Sequence, residues 1–201
     1  MPPVHDSTAD YRESNFREKM LEHVFVSELL QEAWFRYGMT IEVLHSEVDS
    51  AGYDLVLEFG GVIRHVQLKS SRADAKTARQ TINMALAQKP SGCVVWVLYR
   101  TRADGCRVEL SYRFFGNGSG EPLPSLQDRK IARHTKANAQ GIKAERPALR
   151  VLTRADFSAE LSLAELMVSL FGEQMIVTTA EAENRPTAEP GQTSSGLDQQ
   201  R

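Results

Sequence analysis

The sequence contains few cysteines and no long apolar run, and each absence excludes a class of protein. Cys93 and Cys106 are the two cysteines among 201 residues. They are too few for a disulfide framework and too far apart for a metal knuckle, so we expect small buried or half-buried thiols. No apolar run approaches the roughly 18 to 20 residues of a membrane helix. The polar N-terminus also lacks a signal-peptide core. A cytoplasmic protein without a membrane partner is expected.

The chain also lacks internal repeats and a strong excess of one charge, with a formal net charge of −2 at pH 7. Its composition nevertheless changes along the chain. We expect a flexible leader over residues 1–14, one α/β domain over 15–175 and a disordered tail over 176–201. The tail is rich in Thr, Ala, Glu, Pro, Gly, Ser and Gln, and it cannot bury a core.

Hydrophobic periodicity in the central part predicts a mixed central β-sheet flanked by helices. Apolar spacings of three and four predict helices over 15–37 and 75–89, the second capped by Asp74. A basic helix is expected over 126–141 and an amphipathic helix over 162–172. Strands are predicted over 39–48, 53–59, 62–70, 93–100, 106–115 and 149–153. Trp34 and Trp96 lie in apolar segments and are expected in the core.

The stretch GYDLVLEFGGVIRHVQLK, residues 52–69, predicts a β-hairpin. Gly60 and Gly61 suit the positive φ angles of a two-residue turn. Pairing outward from this turn places Asp54 opposite Gln67, and Lys69 lies two residues further along the same face. A one-residue slip would mix polar and apolar faces. The opposite, apolar face comprises Tyr53, Leu55, Leu57, Phe59, Val66 and Leu68.

A carboxylate, a carboxamide oxygen and an ammonium therefore gather at one end of the hairpin. Carboxylate and amide oxygens suit a hard cation such as Mg²⁺. A bound metal lowers the pKa of its water, and a nearby lysine stabilises charge on a phosphate. This set of groups is equipped for phosphodiester hydrolysis. The alternative interpretation, from hairpin spacing alone, is a polar strand face that is simply solvated.

The same stretch resembles the core of the PD-(D/E)xK nuclease superfamily, in the D…QxK form seen in Mrr-like restriction endonucleases. Asp54 matches the metal-binding aspartate, and Gln67 and Lys69 match the two ends of QxK. Tyr53 stands at the proline of the family name, and Gln67 replaces an acid, which leaves one negative charge fewer on the metal. The resemblance spans about residues 16–100 and implies a restriction-endonuclease-like fold.

The resemblance also implies the roles of the site residues. Lys69 would position the attacking water and stabilise the phosphate. The family often supplies a glutamate from the preceding helix, where Glu22 and Glu28 lie on different faces. We prefer Glu22, which apolar residues flank, although either glutamate is an alternative. The ligands of Mg²⁺ or Mn²⁺ would be Asp54, the side-chain oxygen of Gln67, the backbone carbonyl of Leu68 and Glu22.

Two stretches are expected to contact DNA. Ser70, Ser71 and Arg72 directly follow the QxK residues. Residues 128–154 concentrate Lys and Arg, and such a segment grips phosphates without reading bases. The basic residues assigned to DNA in this segment are Lys130, Arg133 and Lys136. A homodimer is also expected, because double-strand cutting needs two sites.

Three functional hypotheses follow from these observations. The first is a Mg²⁺-dependent DNA endonuclease that acts in restriction or phage defence. The second is a nuclease-fold protein without catalysis that binds nucleic acid or a protein partner. The third is an interaction protein with no nucleic-acid role. Metal-dependent cleavage separates the first from the second, and DNA binding at low salt separates the second from the third.

Overall fold

The computed structural model describes residues 13–47, 51–137 and 139–173. Residues 1–12 of the predicted leader and all of the predicted tail lie outside this part. The described elements are α1 (Ser14–Tyr37), β1 (Ile41–His45), β2 (Leu55–Phe59), β3 (Val62–Arg72), β4 (Arg79–Asn83), a 3₁₀-helix (Met84–Gln88), β5 (Gly92–Thr101), β6 (Val108–Gly116), β7 (Ile131–Arg133), β8 (Glu145–Thr153), a second 3₁₀-helix (Arg154–Asp156) and α2 (Leu163–Phe171).

The main sheet has five strands in the order β1-β2-β3-β5-β6. All neighbours are antiparallel except β3 and β5, which are parallel. The predicted mixed sheet flanked by helices is therefore confirmed. Both α-helices pack on one face, which we call the helix face. Its buried cluster includes Phe25, Leu29, Leu57, Val66, Leu166 and Leu170.

The predicted hairpin register is confirmed. Phe59 pairs with Val62 across the turn, and Leu55 pairs with Val66. Gly60 and Gly61 have φ angles of 57° and 82°, in the left-handed region that favours glycine. The register follows from the period-two pattern, because Leu55, Leu57, Phe59 and Val66 all reach the helix-face core.

Two side chains near the hairpin depart from the predicted separation of faces. Tyr53 precedes β2 and leaves the alternation, so its ring packs edge-on against His65 on the other face of the sheet. Arg64 lies on the apolar face and is fully buried. Its guanidinium donates to the backbone oxygens of Asn117 and Gly118 at 3.0 and 2.9 Å, which satisfies part of its hydrogen-bonding demand.

The prediction of a helix over residues 75–89 is wrong. Residues 79–83 form β4, and only residues 84–88 are helical, as a 3₁₀-helix. Asp74 caps no helix and instead accepts two hydrogen bonds from Arg72. The apolar residues of this segment do recur at helical spacing, but β8 pairs with β4 in antiparallel register. A strand partner about seventy residues away thus overrides local propensity.

The prediction of a basic helix over residues 126–141 is also wrong. Ile131–Arg133 form β7, which pairs with β8 through an irregular register. The predicted strand over 149–153 is confirmed, although β8 begins earlier, at Glu145. The predicted helix over 162–172 is confirmed as α2, where Ser162 and Glu165 form a reciprocal capping box that satisfies its first N–H groups.

A second sheet, in the order β4-β8-β7, covers the other face of the main sheet. We call this side the small-sheet face. Contact between the two sheets is made by a second buried cluster. The central members of that cluster are Ile82, Leu86, Val94, Trp96, Leu98, Leu152 and Phe157. The main sheet is therefore buried between helices on one face and a small antiparallel sheet on the other.

The expectations for tryptophan and cysteine are only partly met. Trp96 is fully buried, as predicted, but Trp34 is 58% exposed. Helix α1 buries Leu29 and Ala33, and Trp34 lies on the outward side because consecutive helical positions turn by about 100°. Cys93 is buried, whereas Cys106 is exposed.

Candidate functional site

Asp54 and residues 67–69 of β3 meet at a notch in the main sheet. Strand β2 pairs with β3 only as far as Val66. Strand β3 continues to Arg72 and is paired along this extension with β5 alone. The notch is the space beside residues 67–72 of β3, where β2 has not yet begun. It lies at a sheet edge, so side chains from either face can reach it.

Asp54 lies in this notch immediately before β2. Its Oδ2 accepts a hydrogen bond of 2.6 Å from the backbone N–H of Leu68. Its own N–H donates to the Val66 oxygen at 2.9 Å. β2 does not extend far enough to pair with Leu68. The Asp54 carboxylate therefore accepts the backbone hydrogen bond that a neighbouring strand would otherwise accept. Asp54 is therefore held against the residue between Gln67 and Lys69.

Gln67 lies on the small-sheet face and is 4% exposed. Its Oε1 accepts from the backbone N–H of Asn83 at 3.2 Å. Gly52 fills the adjacent space, where an added Cβ would come within 2.9 Å of the Leu86 nitrogen. One lone pair of the Gln67 oxygen is therefore used to join β3 to the end of β4. A carbonyl oxygen has two lone pairs, so a second contact remains open to it.

Lys69 lies on the same face as Gln67, as the alternation of β3 predicts. It is half-buried and stands beside Trp96 in the parallel register. The indole of Trp96 donates to the Ser71 hydroxyl at 2.9 Å. Lys69 therefore lies on the same face as Trp96 and Ser71, at the end of the sheet where the notch opens.

The two candidate helix glutamates have different surroundings. Glu22 Oε1 lies 3.1 Å from His45 Nδ1, and its carboxylate also binds Lys19. His45 ends β1, and the backbone N–H of the next residue, Ser46, donates to the backbone carbonyl oxygen of Asp54. Glu22 therefore lies at the Asp54 end of the β1–β2 pair. Its helix packs on the helix face, so Glu22 and Lys69 approach the notch from opposite faces.

Glu28 instead forms a part-buried contact on the helix face, at the β6 edge of the main sheet. Its carboxylate accepts a hydrogen bond from the hydroxyl of Tyr112 in β6. Burial, followed by the hydrogen bond and charge of Glu28, raises the pKa of Tyr112 well above its usual range. This arrangement gives Glu28 a structural role and supports the choice of Glu22 for the site.

The predicted DNA contacts fall into two groups. Ser70, Ser71 and Arg72 end β3 beside the notch. The Arg72 guanidinium is bound to Asp74 by two hydrogen bonds of 3.0 Å. The side-chain hydrogen bond from Arg72 is the largest cause that lowers the pKa of Asp74. Arg72 is therefore held in a fixed orientation, with part of its charge neutralised.

The second group of predicted DNA contacts lies on the β7–β8 hairpin and its approach. Lys130, Arg133 and Lys136 are all exposed. Arg133 forms an ion pair of 3.0 Å with Glu145 across the strands. An open cavity of about 550 Å³ is lined by Arg133, Gly141, Ile142, Lys143, Ala144 and Glu145. The basic segment is thus a two-stranded ribbon rather than a helix.

The sequence interpretation missed three residues that surround the site. His45 binds Glu22, Asn83 binds Gln67, and Arg154 stacks on Trp96 with its Cζ 5.7 Å from the ring centroid. Asn83 and Arg154 reach the site through the β4–β8 pairing, which has no local signal. His45 lies inside the strand predicted over 39–48 and is the last residue of β1, and nothing in its spacing points to Glu22.

No known protein family, curated protein or solved structure matches the chain. Over residues 13–47, 51–137 and 139–173, no three His, Cys, Asp or Glu side chains are grouped so as to hold a metal ion. Within the same ranges, no helix has the length and apolar character needed to cross a bilayer.

Proposed function

We propose that the chain is a Mg²⁺-dependent DNA endonuclease that hydrolyses phosphodiester bonds in the cytoplasm, in restriction or phage defence. The supporting observation is the position of Asp54, whose carboxylate is bound to the Leu68 N–H between Gln67 and Lys69. The order of elements agrees in part with a restriction-endonuclease-like core, although β4 and a 3₁₀-helix stand where that core has a helix between its third and fourth strands. A helix precedes three antiparallel strands, and a parallel strand then pairs with the third.

The donor atoms suit a hard divalent ion. Asp54, Gln67, the Leu68 carbonyl and Glu22 supply only oxygen, which Mg²⁺ and Mn²⁺ prefer. Two carboxylates at most contribute, so water would complete the coordination shell, as Mg²⁺ commonly allows. When bound, the ion would polarise the phosphate and acidify a water molecule.

The chain's own side chains would orient the reactants. Lys69 would place its ammonium against the developing phosphate charge and orient the attacking water. His45 would hold the Glu22 carboxylate toward the notch through its 3.1 Å contact. Ser70, Ser71 and Arg72 would contact the DNA backbone next to the cleaved bond. Lys130, Arg133 and Lys136 would hold a more distant part of the same DNA, and a homodimer would supply the second cut.

A plasmid-nicking assay tests this proposal. Purified protein is incubated with supercoiled DNA in Mg²⁺, in Mn²⁺ and in EDTA, alongside Asp54→Ala and Lys69→Ala. We expect metal-dependent nicking in the wild type and a loss of at least about 100-fold in each variant. Glu42→Ala is the matched control, because that exposed carboxylate pairs with Glu58 at the turn end of the hairpin, away from Asp54, and it should cut like the wild type.

Cutting that persists in both site variants would show a contaminating nuclease and contradict the proposal. Absence of nicking in every metal would contradict it equally. Glu22→Gln and Glu28→Gln then separate the two helix acids. The first should reduce cleavage with little change in melting temperature, and the second should do the reverse.

A second candidate function is DNA binding without catalysis. The observation that favours it is the hydrogen bond from the Asn83 N–H to the Gln67 oxygen, which already gives Gln67 a structural task. In this case DNA would be retained in EDTA and in Mg²⁺ alike, and Asp54→Ala would bind as tightly as the wild type.

A further inference from the structure

A second basic surface, separate from the β7–β8 hairpin, surrounds the end of β3. The segment 69–79 contains Lys69, Arg72, Lys76 and Arg79 against a single acid, Asp74. Arg72, Lys76 and Arg79 are exposed. Asp74 is already bound to Arg72. This surface therefore carries an excess of positive charge, and an anion would lower its self-repulsion.

Arg154 joins this surface from a distant part of the chain. It follows β8 directly, and its backbone N–H donates to the Ala78 oxygen at 2.9 Å. Its Nη2 lies 3.4 Å from the Thr77 oxygen. These contacts place an additional guanidinium against the β3–β4 connection, about 85 residues away from Lys69 in the chain.

The Arg154 guanidinium is held in place by Trp96. Its Cζ lies 5.7 Å from the centroid of the indole ring. Trp96 is fully buried and is itself fixed by its hydrogen bond to Ser71 and by the edge-on ring of Phe157. A guanidinium stacked on an aromatic face keeps the N–H donors on its edge available for oxygen ligands.

Lys69 is the neighbour of Trp96 in the parallel register of β3 and β5. Among the described residues, neither Lys69 nor Arg154 forms an ion pair with a carboxylate. Arg154 thus lies over the ring of the residue that pairs with Lys69, on the sheet face that also carries Gln67. Arg154 is the last residue of the basic segment 128–154 but was not among the residues assigned to DNA, and its contact with Trp96 is what separates it from the rest of that segment.

We propose that Arg154 and Lys69 together bind a phosphate group. If the proposed function holds, that group is a DNA backbone phosphate beside the cleaved bond. A free phosphate ion would offer the same chemistry. Arg154 supplies the planar fork that recognises two phosphate oxygens, and Lys69 supplies a point charge.

Binding measured without turnover tests the inference. An Asp54→Ala background in EDTA prevents cleavage, and the anisotropy of a labelled DNA duplex reports affinity across a salt series. We expect Arg154→Ala to bind about tenfold more weakly, with the slope of log K against log salt reduced by about one unit. Arg154→Lys should recover part of this loss, because it keeps the charge but not the fork.

Arg36→Ala is the matched control. It removes the same side chain and charge, but from the C-terminal end of α1 on the helix face. Its affinity and salt slope should equal those of the background. Melting curves for every variant show whether each is folded. Equal affinities for Arg154→Ala and its background, with both folded, would overturn the inference.

The fluorescence of Trp96 identifies the source of the phosphate. With Trp34→Phe, Trp96 is the only remaining tryptophan. A change in its emission on addition of inorganic phosphate, lost in Arg154→Ala, would show a site for any phosphate. A change with duplex DNA alone would show a site for polynucleotide. No change with either ligand would overturn the inference.

The two proposals can fail independently. If the wild type cuts DNA but Arg154→Ala binds normally, the endonuclease stands and the Arg154 assignment is wrong. If no metal supports cutting but Arg154→Ala loses affinity, the phosphate site stands and the catalytic proposal is wrong.

Discussion

Replacing Tyr112 with phenylalanine should reveal how strongly a single buried hydroxyl stabilises the fold. Tyr112 lies in β6 and is fully buried. Its hydroxyl donates to the Glu28 carboxylate in α1, and its ring packs against Phe25 with centroids 5.6 Å apart. The substitution to Phe removes the hydroxyl and keeps the ring, so it isolates the hydrogen bond.

The expected loss follows from the burial of both partners. A hydrogen bond to a charged group contributes about 1.5–3 kcal/mol. In Tyr112→Phe, water cannot enter the buried space that the hydroxyl occupied. Glu28 is only half-buried, so its carboxylate recovers some hydration after the hydrogen bond is lost. We therefore expect Tyr112→Phe to lower the free energy of unfolding by about 2 kcal/mol. The melting temperature should fall by about 5 °C.

Urea denaturation at neutral pH measures this loss, with an unchanged m-value as the sign of an unchanged native state. Tyr37→Phe is the matched control, because the described residues offer that hydroxyl no hydrogen-bond partner, and it should change stability by less than about 0.5 kcal/mol. A double-mutant cycle with Glu28→Ala should give a coupling free energy near the full effect. Tyr112→Phe as stable as the wild type would refute the reasoning.

The pH dependence provides a second test of the same contact. The pKa of Tyr112 is raised in the folded protein, first by burial and then by Glu28. The folded phenol therefore holds its proton more tightly than the unfolded one. The corresponding stability is complete below about pH 10, the usual pKa of tyrosine, and declines as the pH rises above it. Tyr112→Phe should show a smaller decline.

Three further predictions concern other buried or strained positions. Burial raises the pKa of the Cys93 thiol to about 11, so stability should fall by up to about 3 kcal/mol from pH 9 upward; urea titrations at several pH values should show a smaller fall for Cys93→Ala. Arg64→Ala removes a buried guanidinium that donates to two backbone oxygens and should cost about 3 kcal/mol, and unchanged stability would contradict this. Gly61→Ala forces a φ of 82° on alanine and should lower the free energy of unfolding by about 1–2 kcal/mol, whereas Gly61→Asn should stay closer to the wild type. Equal melting temperatures for the wild type and both variants would contradict this account of the turn.

Local signals were sufficient wherever a segment's partner lies close in the chain. The hairpin around Gly60 and Gly61 was predictable because its alternation and its turn chemistry agree. Helix α2 was predictable from its apolar spacing and its glycine stop, and the Ser162–Glu165 capping box agrees with that boundary. Asp54, Gln67 and Lys69 were brought to one place by the same hairpin register.

Two segments whose partners are distant could not be predicted in this way. Residues 75–89 have helical spacing, yet β4 forms because its backbone N–H and C=O groups pair with β8. Residues 126–141 have a basic composition that favours a helix, but Ile131–Arg133 form β7, which pairs with the other edge of β8. Each pairing depends on where β8 runs, and the composition of neither segment contains that information.

The amino-acid sequence by itself determined the hairpin, its two faces and the candidate residues on one of them, because period-two alternation and adjacent glycines act within a few residues. Tertiary structure alone decided the surroundings of those residues. It placed Asn83 on Gln67, Glu22 on His45 and Arg154 on Trp96. The physical reason is that hydrogen bonds and ring contacts require closeness in space, and distant segments become close only when the two sheets pack around a shared core.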